Sequence, residues 1–265
     1  MQIPSSCTLC PRRCKADRTR RAGVCGAADQ LMVARAALHH WEEPCISGTQ
    51  GSGTVFFSGC SLKCCYCQNY KISQEGLGKA IDAARLAQIF LELQQKGAHN
   101  INLVTATQWL PWVLEALEKA RANGLTLPIV YNTGGYETLE TVQLLDGVVD
   151  VWLADVKYVS PELSARYSAA PGYFGVCSQA VRQMIRQTGA PRFDENGLLR
   201  ACGKNGNVKV TAEAPDGSKV SRKFVVIRQY AQEPPKGPES VSVRPFIQWE
   251  NRTKLTENDK RITFL

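Results

Sequence analysis

The stretch Phe57-Ser58-Gly59-Cys60-Ser61-Leu62-Lys63-Cys64-Cys65-Tyr66-Cys67-Gln68-Asn69 decides the reading of this chain. It follows an apolar, strand-like segment, and Cys60, Cys64 and Cys67 are spaced C-x3-C-x2-C. Three thiolates from one tight loop can each hold one iron of a [4Fe-4S] cluster, and with no fourth cysteine in register one iron stays open to a substrate or cofactor. An open iron points to catalysis rather than electron storage. Zinc also takes clustered cysteine, but structural zinc sites are normally closed by four ligands from two paired turns, and here three come from one loop.

Outward from this loop, residues 54 to about 187 alternate short β-branched runs with amphipathic stretches of helical length, the pattern of a parallel sheet covered by helices. Strands are expected at 54–58, 100–105, 128–132 and 149–156, too continuously apolar for a sheet face in water. Residues 82–96 place Leu86, Ile89, Phe90 and Leu93 on one helical face, closed by Gly97, and 109–123 repeats the design with Val113, Leu114 and Leu117 before Gly124. A further helix is read at 181–187, and two more strand–helix units after it are not evident.

The flanks differ from this core. Cys7-x2-Cys10-x3-Cys14-x10-Cys25 can close a metal site completely, and zinc and an auxiliary [4Fe-4S] cluster both fit the ligand set. From about Arg200 the periodicity changes to alternation: 208–213 and 219–227 read as strands of a hairpin around Ala214-Pro215-Asp216-Gly217-Ser218, followed by a linker at 233–238 and a basic tail. The expected organisation is a Cys-rich metal-binding segment over 1–53, an α/β core over 54–199, and a divergent β-rich segment over 200–265.

Composition narrows the function classes. With 265 residues and 44% hydrophobic content the chain can bury a real core. No run of about 18 apolar residues or signal-peptide pattern is present, so a soluble, cytoplasmic protein with no membrane association is expected. Eleven cysteines then mean metal or redox chemistry more than disulfides. The net charge of +8 divides into +3, 0 and +5 over 1–53, 54–203 and 204–265, so the core is neutral, which weakens a nucleic-acid partner. No Ser-His-Asp set or paired carboxylates stand out for hydrolysis. Cys65, Cys177 and Cys202 read as free thiols, Cys65 as a packed one; His39 and His40 read as surface residues.

The cysteine loop, with Tyr66 as the aromatic of C-x3-C-x-aromatic-C, resembles the signature of the radical S-adenosylmethionine (SAM) enzymes, and from Cys7 to about Gly189 the chain resembles the branch related to pyruvate formate-lyase activating enzyme. The resemblance implies a partial (βα) barrel with the cluster loop at the C-terminal edge of the sheet. Cys60, Cys64 and Cys67 would ligate a [4Fe-4S] cluster that binds SAM and reductively cleaves it to a 5′-deoxyadenosyl radical for hydrogen abstraction, fed by a one-electron reductant such as flavodoxin or ferredoxin. The ring of Tyr66 would pack near the adenine. The family's Gly-Gly-Glu stretch is absent, and Thr105 and Thr107 stand at its position as candidate contacts for the SAM amine. Tyr131-Asn132-Thr133-Gly134-Gly135 and Asp155-Val156-Lys157 resemble the activating enzymes' Thr-Asn-Gly-type and Asp-x-Lys motifs. Lys157 would contact the SAM ribose or carboxylate, while Asp155, Asn132 and Thr133 would hold SAM or a monovalent cation. By this analogy hydrogen would be abstracted from a protein glycine, and otherwise from an unidentified substrate. The alternatives are a noncatalytic iron–sulfur or zinc protein that binds nucleic acid or a protein partner, and a degenerate radical SAM protein.

Overall fold

A computed structural model describes residues 3–189 with their side chains and, beyond them, the backbone of five strands between Arg192 and Gln232. Strand β1 (Leu31–His39) leads through the short helix α1 (Pro44–Ser47) into β2 (Ser52–Phe57), which lies antiparallel to it. After the cysteine loop come α2 (Tyr70–Ser73), the edge strand β3 (Lys79–Ile81), antiparallel to β1, and helix α3 (Ala83–Gln95). Then β4 (Ile101–Val104), α4 (Leu110–Ala122), β5 (Ile129–Thr133), α5 (Leu139–Leu144) and β6 (Val151–Ala154) follow in alternation, with α6 (Pro161–Ser168) and α7 (Tyr173–Thr188) after the last strand. The sheet runs β3-β1-β2-β4-β5-β6, unclosed, with β2, β4, β5 and β6 parallel. This is the expected α/β architecture of a partial barrel.

Register explains how the sheet divides its two faces. Val55, Leu103, Tyr131 and Trp152 pair in one row across the four parallel strands, and all four are buried in one core cluster with Leu86 and Phe90 of α3, Val113 and Leu117 of α4 and Cys177 and Val181 of α7. The next row, Phe56, Val104, Asn132 and Leu153, points to the opposite, inner face because side chains alternate along a strand, and each of its members is half-buried. Near the other end of that inner face Ile46 of α1 packs on Val130 and Val151.

Local signals set the helix ends. Asp82 caps α3 by accepting from the Arg85 amide at 2.7 Å, and Thr138 and Ser160 cap α5 and α6 in the same way. Past the ends of α3 and α4, Gly97 and Gly124 take positive φ angles that favour glycine. Helix α7 is far longer than the 181–187 expected. Its first half carries Gly175 and Ser178, weak helix formers, yet Tyr173, Cys177, Ala180, Val181, Met184 and Thr188 form one buried stripe. β1 was not expected at all, for its alanine-rich sequence Leu-Met-Val-Ala-Arg-Ala-Ala-Leu-His has low strand propensity and is held by pairing on both edges.

Beyond α7, β7 (Arg192–Phe193), β8 (Gly197–Arg200) and β11 (Tyr230–Gln232) form a three-stranded sheet, and β9 (Gly206–Glu213) pairs antiparallel with β10 (Lys219–Val226) from Glu213↔Lys219 to Gly206↔Val226. That pairing is the expected hairpin; its turn, Cys202, the linker and the basic tail lie outside the described residues. No helix among the described residues is long and apolar enough to cross a membrane.

Candidate functional site

The four parallel strands bring their C-terminal ends to one edge, and the cysteine loop leaves β2 there. Its first residues are pinned from three sides. Ser58 O accepts from Trp109 Nε1 at 2.7 Å and Gln108 Nε2 at 3.1 Å, and Gln108 also reaches Gly59 O at 3.0 Å. The Cys60 amide donates to Cys25 O at 3.0 Å, and the Lys63 and Cys65 amides donate to Ser168 O and Tyr167 O. Gly59 has φ +82°, and a methyl group there would stand 2.4 Å from Cys25 O, so both backbone conformation and space demand glycine.

Each of the three thiols of this loop accepts a hydrogen bond. Ser168 Oγ donates to Cys64 Sγ at 2.9 Å, Ser73 Oγ to Cys67 Sγ at 3.2 Å, and the Leu62 amide to the Cys60 sulfur. Burial pushes the Cys60 thiol up to about 12, and Cys64 and Cys67 add to it. Lys157 faces the same thiols. Burial works to lower its pKa, but the ion pair with Asp155 and the neighbouring Cys64 and Cys60 outweigh burial and raise it. Donors aimed at sulfur and one ammonium nearby are what ionised thiolates require. Among the described residues no three His, Cys, Asp or Glu side chains converge tightly enough to hold a single metal ion, so the fit to a cluster rests on this donor set.

The remaining candidates divide by face. Asn132 and Asp155 lie on the inner side of the strand ends, Asp155 with its side chain 63% exposed and bonded to Lys157. Tyr66 is half-exposed beside the loop; its hydroxyl meets that of Tyr158 at 2.5 Å, and Tyr158 continues to Ser168 Oγ at 2.7 Å. Thr105 ends β4 with φ +56° and its amide on Asn132 O. Thr107 and Thr133 are turned away from this side. Both hydroxyls donate to Glu137 Oε1, at 2.7 and 2.5 Å, and both residues are buried. The reason for Thr133 is alternation: next to Asn132 on β5 it must face the helices. Cys65, expected to be packed, is exposed.

Glu137 is the residue that sequence reading missed. It is buried, its Oε2 has no partner, and burial pushes its pKa up to about 7 against the lowering effect of the two threonines. Its only sequence signal is proximity to the Asn132–Gly135 motif. Tyr173 of α7 closes the other side, bonded to the Lys157 amide and to Gly134 O and Asp155 O, thereby fixing the ends of β5 and β6 together.

The four N-terminal cysteines lie in one neighbourhood without converging on a single ion. Cys25 lies within electrostatic reach of Cys7 and Cys14, and Cys10 of Cys7 and Cys25. The amides of Arg12, Ala16 and Ala27 donate to the sulfurs of Cys10, Cys14 and Cys25, each two residues back, and Cys14 takes a further bond from Val24.

Comparison with known proteins agrees with this arrangement. The radical SAM superfamily model matches residues 54–209. An uncharacterized protein of Methanocaldococcus jannaschii is 32% identical over 181 residues, 66% of this chain and 52% of that protein, so the chain spans about half the length of the curated relative it matches. Membership implies a [4Fe-4S] cluster and SAM. A thiol loop at the C-terminal edge of four parallel strands, inside the matched span, places the assignment on firm ground: the chain belongs to the radical SAM superfamily.

Proposed function

We propose that this protein reductively cleaves SAM and uses the product radical for hydrogen abstraction, in the manner of the branch related to pyruvate formate-lyase activating enzyme. The observation that carries the reading is the set of three loop thiols, each hydrogen-bonded, with Lys157 facing two of them from the end of β6. Bound at Cys60, Cys64 and Cys67, a [4Fe-4S] cluster would supply an open iron and one electron for the sulfonium. The chain's own residues would do the positioning. Lys157 offers an ammonium for a carboxylate or ribose hydroxyl, Asp155 and Asn132 offer acceptors for SAM or a monovalent cation, and the Thr105 hydroxyl is the one remaining candidate beyond β4. Tyr66 would cover the adenine. A flavodoxin or ferredoxin is the class of donor required. A protein segment carrying the target glycine is supported by the unclosed sheet, whose inner row Phe56, Val104, Asn132 and Leu153 is only half-buried. The reading also puts a second metal, zinc or an auxiliary cluster, at Cys7, Cys10, Cys14 and Cys25.

The test is 5′-deoxyadenosine formation from SAM by the anaerobically reconstituted protein under a strong one-electron reductant, with Cys60→Ala as control. Product that disappears in the control supports the reading. No product at full iron and sulfide content overturns it in favour of a noncatalytic or degenerate protein.

A further inference from the structure

The N-terminal cysteines and the SAM-cluster loop are built as one unit. Cys25 O accepts from the Cys60 amide at 3.0 Å, and Gly59 lets the two backbones approach. Arg12, between Cys10 and Cys14, reaches across as well. Its Nε donates to Ser61 O at 2.8 Å, Nη2 to Ser168 O at 3.2 Å and Nη1 to Ala169 O, while its guanidinium lies 5.4 Å from the Tyr136 ring centre. Ser168 is the residue that donates to Cys64 Sγ. One arginine of the N-terminal loop therefore touches both the Cys60–Cys64 turn and the helix end that serves Cys64.

The N-terminal loop itself has the features of a thiolate metal site. Three of its four sulfurs take amide hydrogens from two residues on, the relation that Cys60 has with Leu62. Gly23 stands against the sulfurs: a methyl group there would be 3.3 Å from Cys14 Sγ and 3.5 Å from Cys25 Sγ. Its φ is not in the left-handed region, so a side chain there would act on the sulfurs rather than on the backbone, pressing Cys14 Sγ aside by a few tenths of an ångström and meeting Cys25 Sγ at ordinary contact. In this structure the four sulfurs, like those of the Cys60 loop, do not converge on a single ion, so the fit rests on ligand number and type: four thiolates are what a closed thiolate centre takes, and such a site supplies fixed geometry to a segment with few apolar residues.

We infer that Cys7, Cys10, Cys14 and Cys25 bind a thiophilic metal centre whose occupancy, transmitted through Cys25 O and Arg12, holds the Cys60–Cys67 loop in the form that accepts its cluster. This rests on the reading of a second metal at these cysteines. It makes the N-terminal site a precondition for loading the first, with no thiol shared between them.

The experiment uses the full chain, reconstituted anaerobically with ferrous iron and sulfide or supplied with zinc alone, and reads zinc, iron and sulfide per chain. The variant Cys60→Ala/Cys64→Ala/Cys67→Ala is expected to keep a metal, either about one zinc or about four irons with matching sulfide, and the ratio identifies which. Absence of metal under both supplies, in a variant whose circular dichroism matches the wild type, overturns the site. Gly23→Ala, which keeps all seven thiols, is expected to weaken metal retention against a chelator at the N-terminal site and to lower iron at the Cys60 loop severalfold. Loss of the N-terminal metal with normal loading of the other loop overturns the coupling. Failure of the SAM reading would be recognised separately, as a wild-type cluster whose EPR spectrum ignores SAM, and it would leave the metal counts unchanged.

Discussion

The sulfurs of the two cysteine groups are served from different distances along the chain. Cys64 takes its hydrogen bond from Ser168, 104 residues away, and Cys67 from Ser73, six residues on, whereas Cys10, Cys14 and Cys25, and in the first loop Cys60 alone, take theirs from the amide two residues on. A loop that satisfies its own sulfurs can form locally and close. A loop with two sulfurs addressed by α6 and α2, and with Lys157 beside it, is complete only once the sheet is assembled, and those surroundings can be adjusted residue by residue.

Removing one thiol from each group has the strongest consequence for metal content. Cys64→Ala is expected to lose iron at its loop and reduce 5′-deoxyadenosine to background, while the N-terminal segment keeps its metal. Cys25→Ser keeps the backbone carbonyl that accepts the Cys60 amide, so it is expected to lose the N-terminal metal outright and to lower iron at the other loop through the displacement of that carbonyl. Iron counts and product assays on the two variants check the asymmetry, and equal losses would erase it.

Next in size is Glu137, which holds Thr107 and Thr133 behind the strand ends and lies within electrostatic reach of Cys10. Its pKa rises from 4.5 to about 7 on folding, with burial as the main cause. The folded state therefore binds this proton more tightly than the unfolded chain. The stability it contributes is fully present below about pH 4.5 and is lost as pH rises through about 7. The interval corresponds to roughly 3 kcal/mol. Glu137→Gln should flatten that part of the pH profile, measured as urea midpoints at pH 5 and pH 8; a profile as steep as the wild type's would assign the dependence elsewhere.

A smaller effect belongs to Ser168. Its hydroxyl bond to Cys64 Sγ favours the more negative, reduced state of whatever iron the sulfur holds. Ser168→Ala should lower the midpoint potential by roughly 40 mV, equivalent to about 1 kcal/mol for a one-electron couple. Ser73→Ala, whose bond to Cys67 is longer, should do less. Potentiometric EPR titration reads both.

What sequence reading could reach follows the same division between near and far. The four parallel strands, α3, α4 and the hairpin pairing were legible because their signals are local: apolar runs, 3–4 spacing, and a turn of suitable residues. The spacing of each cysteine group was legible for the same reason. β1 was not, since alanines carry little strand signal and pairing on two edges supplies what propensity lacks. Nor was Glu137, whose meaning comes from Thr107, 30 residues before it in the chain. Thr107 and Thr133 looked like cofactor contacts because type and position along the chain suggested it; the face on which each hydroxyl ended up needed the register.

Thr105 is the smallest test, and it bears on how the far-addressed side of the site was built. A β-branched residue at φ +56° is strained, at a cost on the order of 1–2 kcal/mol, and glycine would relieve it. Glycine also loses more freedom on folding, by about 0.5–1 kcal/mol, so Thr105→Gly should be stabilising by about 1 kcal/mol or less. If strain is retained there because the hydroxyl serves SAM, the same variant should bind SAM more weakly, read as the concentration needed to change the cluster's EPR spectrum. Greater stability with unchanged SAM response would make the left-handed turn a feature of β4's ending alone. Weaker SAM response together with greater stability would show that this strand end gives up folding free energy for cofactor contact, a use of strain to set beside that of the N-terminal loop, where Arg13 and Lys15 also take positive φ angles.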